Sequence, residues 1–444
     1  MPGKRPINAG LPAAEAETSE PQPTSPAKKQ PRRRRRPVPA ALKAVGGLVA
    51  VAIVFLAAAV LGGGGSNKDA PEPAPAPTQA FPETSADGTE TPAAEAAEEL
   101  GYPSFATNNT TRVGGSDPTA IAAAVTLAVF PSATTAQRPA SVTIVDEDDW
   151  QGAVAASVLM AEPLRSPLLV STGGDLPEPT EQALAALAPL GSAEAGGTQA
   201  FVVGDAATPG ELKTHRVDGP GPAALAASIA TERDKLFDGP PAHFVLAPEA
   251  EPELAIPAAA WAARSGDPVL FAEAEKLPTA TAQVLRTHPK VPVYVLGPSS
   301  AISSDVVREV AEIGGRARRV SGEDPVANAI ALARYAGGDF GWNVNDPGHG
   351  FVIARSDAPL AAAVASPLSA SGTWGPLLLT DDAGTLPAAL REYLLDVKPG
   401  YTTDPTRAFY NHVWVIGDQE AIDVNQQAEI DQLAELAKIG EAEP

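Results

Sequence analysis

Three arginines, Arg112, Arg216 and Arg319, recur at the head of one short pattern, Arg-Val-x-Gly-x-x-Pro. They are the strongest candidates for a shared ligand-binding role. A guanidinium is permanently charged and presents its donors in a planar fork that matches phosphate or carboxylate. Three of them at equivalent places would give an acidic ligand three equivalent grips. The plainer expectation is that each pairs with a carboxylate or carbonyl of its own module.

Other residue types narrow the chemistry. Asp146-Glu147-Asp148-Asp149 and Asp381-Asp382 follow strand-like runs, where α/β sheets place ligand sites. Clustered carboxylates suit Ca²⁺, although a solvated acidic loop accounts for the same residues, and no other cofactor is indicated. The five histidines (His215, His243, His288, His349, His412) show no metal-ligand spacing of the H-E-x-x-H kind. With no cysteine in the chain, disulfides, Cys-based metal sites and cysteine nucleophiles are excluded. There is no G-x-S-x-G elbow and no P-loop, so neither a serine hydrolase nor a P-loop nucleotide site is expected. Gly219-Pro220-Gly221-Pro222-Ala223-Ala224 fits a loose dinucleotide fingerprint, but the matching turns carry Asp117 and Glu323-Asp324. Those acids stand where a pyrophosphate would sit, and a turn into a helix is the expected role. Trp150 and Trp374 could stack on sugars, with Trp374 expected in the core because it closely precedes an apolar strand.

The elements that must position these residues repeat three times. After each Arg-Val pattern comes an alanine-rich amphipathic run (TAIAAAVTLA, AALAASIA, VANAIALA) led by Pro118, Pro222 or Pro325. Proline suits the first helical position, where its missing N–H costs nothing, and Asp117, Gly221 and Asp324 are the expected N-caps. Next come strands starting near Val142, His243 and Phe351, then a helix, then Pro-led apolar strands at Pro167, Pro268 and Pro376. Leu-Pro at Pro177, Pro278 and Pro387 opens another helix, and hydrophobic strands end at Gly204, Gly297 and Gly417. Continuous Val, Ile and Leu runs separated by helices predict buried parallel strands. Four landmarks in fixed order, three times over, predict three tandem three-layer α/β modules at 112–210, 211–314 and 315–440. The third is lengthened by inserts at Gly337–Pro347 and Lys398–Asn411.

Charge divides the chain. Residues 1–43 hold ten basic residues against three acidic ones, and the other 401 residues hold 22 against 51, net −29. So acidic a body disfavours nucleic acid as a partner, because phosphate contacts need clustered Lys and Arg. Residues 44–65 contain no charge and would span roughly 33 Å as a helix, the thickness of a bilayer core. The basic residues preceding this segment, including Arg32 to Arg36, predict a cytoplasmic tail at 1–43 and an extracytoplasmic remainder. A signal anchor is expected in preference to a cleaved signal peptide, whose basic leader is far shorter. Residues 66–111 are rich in Pro, Ala and Glu and are expected to form a disordered linker.

The repeated order Arg-hydrophobic-x-Gly, helix, strand, alanine-rich helix, Pro-Leu-Leu, Leu-Pro, strand-Gly and Ala-Ile (Ala301-Ile302, Ala421-Ile422) resembles the cell wall-binding repeat 2 family over about 112–440. The resemblance implies a bacterial surface protein with three tandem repeats, Rossmann-like or toprim-like in fold and grouped with pseudo-threefold symmetry. It also implies noncovalent attachment to anionic wall polymers. The sequence departs from that pattern at Pro118 and Pro325, where the family has Arg, and at Gly204-Asp205, Gly297-Pro298 and Gly417-Asp418, where it has Gly-Gly. Its Asp-Ala pair is present only as Asp357-Ala358.

A membrane-anchored, non-catalytic protein that binds or scaffolds a wall polymer is therefore the leading expectation. A tethered scaffold for another extracytoplasmic protein is second, and a glycan-acting wall enzyme third. A body at net −29 needs bridging cations or a local basic groove to hold an anionic polymer.

Overall fold

The computed structural model describes residues 105–115, 117–371 and 374–439. The basic tail, the 44–65 span and the linker up to 104 lie outside the described residues. Among those described, no helix is long and apolar enough to cross a membrane. Residues 105–111, expected in the linker, are instead part of the folded body: β1 (Phe105–Ala106) pairs antiparallel with β2 (Thr110–Val113).

Three parallel sheets follow, built alike. The first contains β3 (Val142–Asp146), β4 (Leu168–Ser171), β5 (Ala200–Val203) and β6 (Thr214–Val217), in the order β4-β3-β5-β6. The second contains β7 (Phe244–Pro248), β8 (Val269–Ala272), β9 (Val293–Leu296) and β10 (Ala317–Val320), in the order β8-β7-β9-β10. The third contains β11 (Gly350–Arg355), β12 (Leu377–Thr380) and β14 (His412–Ile416), and runs β12-β11-β14-β2-β1. A short pair, β13 (Gly400–Tyr401) with β15 (Ala437–Lys438), ties the second insert to the chain end. The Val, Ile and Leu runs are buried along their whole length, as strands covered on both faces require.

The sheets do not follow the bounds drawn from the sequence. Each Arg-Val strand pairs with the sheet before it: β6 joins β5, and β10 joins β9. The first such strand, β2, joins β14 near the far end of the chain. The helix after each Arg-Val strand then packs on the next sheet, Pro118–Val129 against β4, Pro222–Leu236 against β8 and Pro325–Arg334 against β12. Strand and helix thus straddle two sheets, and the chain closes into a ring.

Local chemistry explains the hinge between them. Asp117 accepts from the N–H groups of Thr119 and Ala120, and Asp324 from that of Ala327, so both cap their helices with proline at the first turn. The pattern's glycine is there for close approach. A Cβ on Gly219 would lie 2.3 Å from the Leu225 nitrogen, and one on Gly322 would lie 2.3 Å from that of Asn328. Any larger residue would push the helix off the strand.

The three sheets share one core through short helical segments and the alanines on and beside them. Ser157–Met160, Pro257–Ser265 and Ser366–Ala370 pack on one another pairwise. Ala156, Ala259, Ala262, Ala362 and Ala363 on these and adjoining turns are wholly buried. Small side chains let the segments approach closely at interior packing density. Ser366 Oγ donates to Ser157 Oγ across this contact at 3.0 Å, joining residues 209 apart.

Candidate functional site

The three arginines occupy equivalent places, one on the outer strand of each sheet's parallel run. The glycine ending each third strand turns through positive φ (56° at Gly204, 89° at Gly297, 95° at Gly417), and its carbonyl meets the guanidinium. Arg319 donates from Nη1 to Gly297 O at 2.6 Å and Pro298 O at 3.0 Å, and from Nη2 to Ile302 O at 2.6 Å. Arg112 donates to Gly417 O at 2.9 Å, Asp418 O at 2.6 Å, Ile422 O at 2.6 Å and Gln427 Oε1 at 2.9 Å. Arg216 donates to Gly204 O, to Ala206 O at 3.0 Å and to Thr208 Oγ1 at 2.7 Å.

Each arginine therefore staples an outer strand to the turn beside it, through carbonyls of its own sheet. The ligand role gives way to carbonyl pairing, because the donors that would grip a ligand are already used by backbone. By the bounds drawn from the sequence these partners lie in a neighbouring module and not in the arginine's own, because each Arg-Val strand joins another module's sheet. Burial lowers the pKa of Arg112, with Asp418 and Asp423 opposing the shift, and burial also lowers that of Arg319. Arg112 is 2 % exposed, whereas Arg216 is exposed. Arg216 lines a groove, of about 610 Å³, with His215, Asp218, Glu232, Lys235 and Gln283 between two helices. The corresponding gap beside Pro325–Arg334, about 330 Å³, carries an Arg334–Asp396 ion pair.

The acidic runs are loop structure. Asp149 caps the helix Trp150–Ala156 by accepting from Gly152 N at 2.7 Å. Burial raises its pKa, the Gly152 bond opposes this, and Asp146 and Asp205 add to the rise. Asp382 accepts from Gly384 N and Thr385 N in a turn, and these bonds lower its pKa. Asp357 is forked by Arg355 at 2.9 and 2.7 Å. Among the described residues, no three His, Asp or Glu side chains converge to hold a metal ion, so the Ca²⁺ expectation finds no site there.

The histidines pair with carboxylates: His215 with Glu232 at 3.1 Å, His288 with Asp234 at 2.9 Å and His349 with Asp346 at 3.1 Å. His243 is buried between Asp267 and Asp339, and His412 lies edge-on to Trp414. Trp150 packs edge-on against Phe271, 6.0 Å between centroids, joining the first two sheets.

Trp374 is a correction. Expected in the core, it is 50 % exposed, at φ 53°, with the Arg264 guanidinium 4.2 Å from its ring centroid. The turn it occupies throws its side chain outward. Arg165 stands nearby in the fold, donating to Ser371 Oγ at 3.4 Å. Neither Arg264 nor Arg165 was singled out from the sequence. The available signal was positional, since Arg165, Gly266 and Trp374 each stand two residues before the proline that leads a second strand.

Comparison with known proteins bears on this fold. Residues 216–307 match the family model of cell wall binding domain 2. That stretch starts on the edge strand of the first sheet, at Arg216, and contains three strands of the second. No curated protein matches the chain. Among solved structures, Cwp6 from Clostridium difficile is similar with a TM-score of 0.59 and 19 % identity, over 74 % of this chain and 48 % of that one. Cwp8 from the same organism is similar with a TM-score of 0.56 and 16 % identity, over 74 % of this chain and 52 % of that one. This chain thus spans about half the length of either, and at such identities the likeness speaks for fold. Residues 216–307 are thus similar to cell wall binding domain 2, the family that the repeated landmarks resemble.

Proposed function

We propose that this chain is a non-catalytic, extracytoplasmic scaffold that binds a wall polymer and is held to the cell membrane by residues 44–65. In this reading 1–43 is a cytoplasmic tail, 66–104 a tether, and the three repeats face the wall. The observation that carries it is the cell wall binding domain 2 match at 216–307, set in a ring of three sheets of one strand order. The carboxylate clusters act as caps and turns, which favours binding over glycan hydrolysis. A second reading, a tethered scaffold for a partner protein, draws on Phe409, 70 % exposed on the second insert.

Sedimentation with isolated walls tests the first reading, using the full chain in mild detergent with and without Ca²⁺. Retention in either condition is expected. Failure in both, with a protein cross-linked to the insert in intact cells, would replace the first reading by the second.

A further inference from the structure

The turn before each second strand shows what the three repeats do differently. In all three, the residue two before the leading proline has left-handed backbone: Arg165 at φ 49°, Gly266 at φ 76° and Trp374 at φ 53°. Glycine adopts this conformation freely, and a bulky side chain does so against steric resistance. The second repeat has the glycine. The first and third keep Arg and Trp there, so these two side chains are held outward at a conformational cost that packing does not explain for the half-exposed Trp374. Such an outlier points to use of the side chain.

These turns follow the three central helical segments and meet at their C-terminal ends. Arg264, in the last turn of Pro257–Ser265, lies over Trp374 at 4.2 Å. Arg165 reaches Ser371, at the end of Ser366–Ala370. Ala161 Cβ lies 3.4 Å from where a Gly266 Cβ would stand, so the first two turns touch as well. Among the described residues, no carboxylate lies within ion-pairing distance of Arg165 or Arg264. In a body at net −29, Arg264 over the exposed indole and Arg165 over the Phe130 ring, 5.3 Å from its centroid, both without acidic partners, make a local basic, aromatic face.

We infer that Trp374, Arg264 and Arg165 form a platform for an acidic wall polysaccharide. The indole stacks on a sugar face, while the guanidiniums pair with the carboxylate or phosphate the polymer carries. This rests on the wall-binding reading above and supplies the local basic surface that reading requires.

Glycine at 266 provides the test, because Trp374→Gly and Arg165→Gly place the residue the backbone prefers. Both variants are expected to melt no lower than the wild type. In sedimentation of the full chain with isolated walls, each is expected to lose about tenfold in apparent affinity, the scale of one stacking contact or charged hydrogen bond. Arg264→Gln, an exposed change that leaves the turn intact, is expected to show the same loss. Walls stripped of acidic polymers by acid extraction should no longer retain the wild type. Unchanged retention of all three variants would overturn the platform while leaving the wall-binding reading standing, and retention on stripped walls would overturn the acidic ligand. No retention of the wild type on any wall would overturn both.

Discussion

The imidazole of His243 and the carboxylate of Asp267 lie 3.0 Å apart in a site where both residues are buried, 4 % and 1 % exposed. The same carboxylate accepts from His243 N at 2.9 Å and from Trp261 Nε1 at 2.9 Å. The other ring nitrogen of His243 faces Asp339, at 3.3 Å, on the insert Gly337–Pro347. Tyr294 of β9 and Phe340 of the insert stack face to face, 3.6 Å between centroids, and Tyr294 donates to Gly337 O at 3.1 Å. An insert present only in the third repeat thereby seals the end of the second sheet.

The pH dependence of this seal has a definite sign. Burial is the largest single influence on His243 and disfavours its charged form, but Asp267 and Asp339 together outweigh it, and the pKa rises. A histidine with a raised folded pKa contributes stability in full below the unfolded value, about 6.5, and loses it as pH climbs through the folded value. Asp339→Asn removes part of that coupling. Its melting temperature should fall furthest below the wild type at pH below about 6 and converge with it at higher pH. A gap that stays constant across the range would show that His243 does not titrate against Asp339.

Phe340 is the apolar half of the same seal and is 1 % exposed. Truncating a buried phenylalanine costs about 3–5 kcal/mol, so Phe340→Ala should lower the urea midpoint strongly. Phe409→Ala, on the exposed second insert, should stay within about 0.5 kcal/mol of the wild type. Equal effects from the two would mean that the first insert is no more part of the core than the second.

The arginines predict a graded series. Arg112 is buried and bonded to three carbonyls and Gln427, Arg319 is half-buried with three such bonds, and Arg216 is exposed. Removing a buried guanidinium leaves its acceptors unsatisfied at about 1–3 kcal/mol each, whereas solvent replaces an exposed one. Alanine substitution should destabilise in the order Arg112, Arg319, Arg216, with about 3–5 kcal/mol at Arg112 as measured by urea unfolding. A reversed order would contradict the stapling role.

Local chemistry was the legible part. The caps Asp117 and Asp324, the prolines at 177, 278 and 387 and the buried apolar strands were all readable, because each depends on neighbours within a few residues. What escaped depends on distance. Thr110–Val113 has the pattern of a strand, yet nothing local says that its partner is β14, 300 residues on. The same holds for Trp261, Asp267 and His243, which share no spacing motif and meet only because β7 and β8 lie side by side. Trp374 was misplaced because its place just before an apolar strand predicts burial, while the φ of one turn decides where its ring goes.

Closure of the ring makes the last prediction. β2 pairs with β14, so Val413 N donates to Asn109 O at 2.9 Å and Gly417 N to Val113 O at 3.0 Å. Asp431, on the final helix, holds the same strand by accepting from Asn109 N at 2.8 Å and from Thr107 Oγ1. A chain starting at residue 105 keeps every one of these bonds, and one starting at 117 loses them together with buried Arg112 and Val113. The shorter chain should be less stable by at least about 3 kcal/mol, the cost of a buried side chain and a stranded set of acceptors. The loss should also be local at first, since edge amides that lose their acceptors open before the rest of the fold. Hydrogen exchange is therefore expected to quicken at Val413 and Gly417, while Val293, which donates to Arg316 O within the second sheet, keeps its protection. Unchanged exchange at Val413 and Gly417 would mean that β14 needs no partner from the start of the chain, and the ring would then be three sheets merely set side by side.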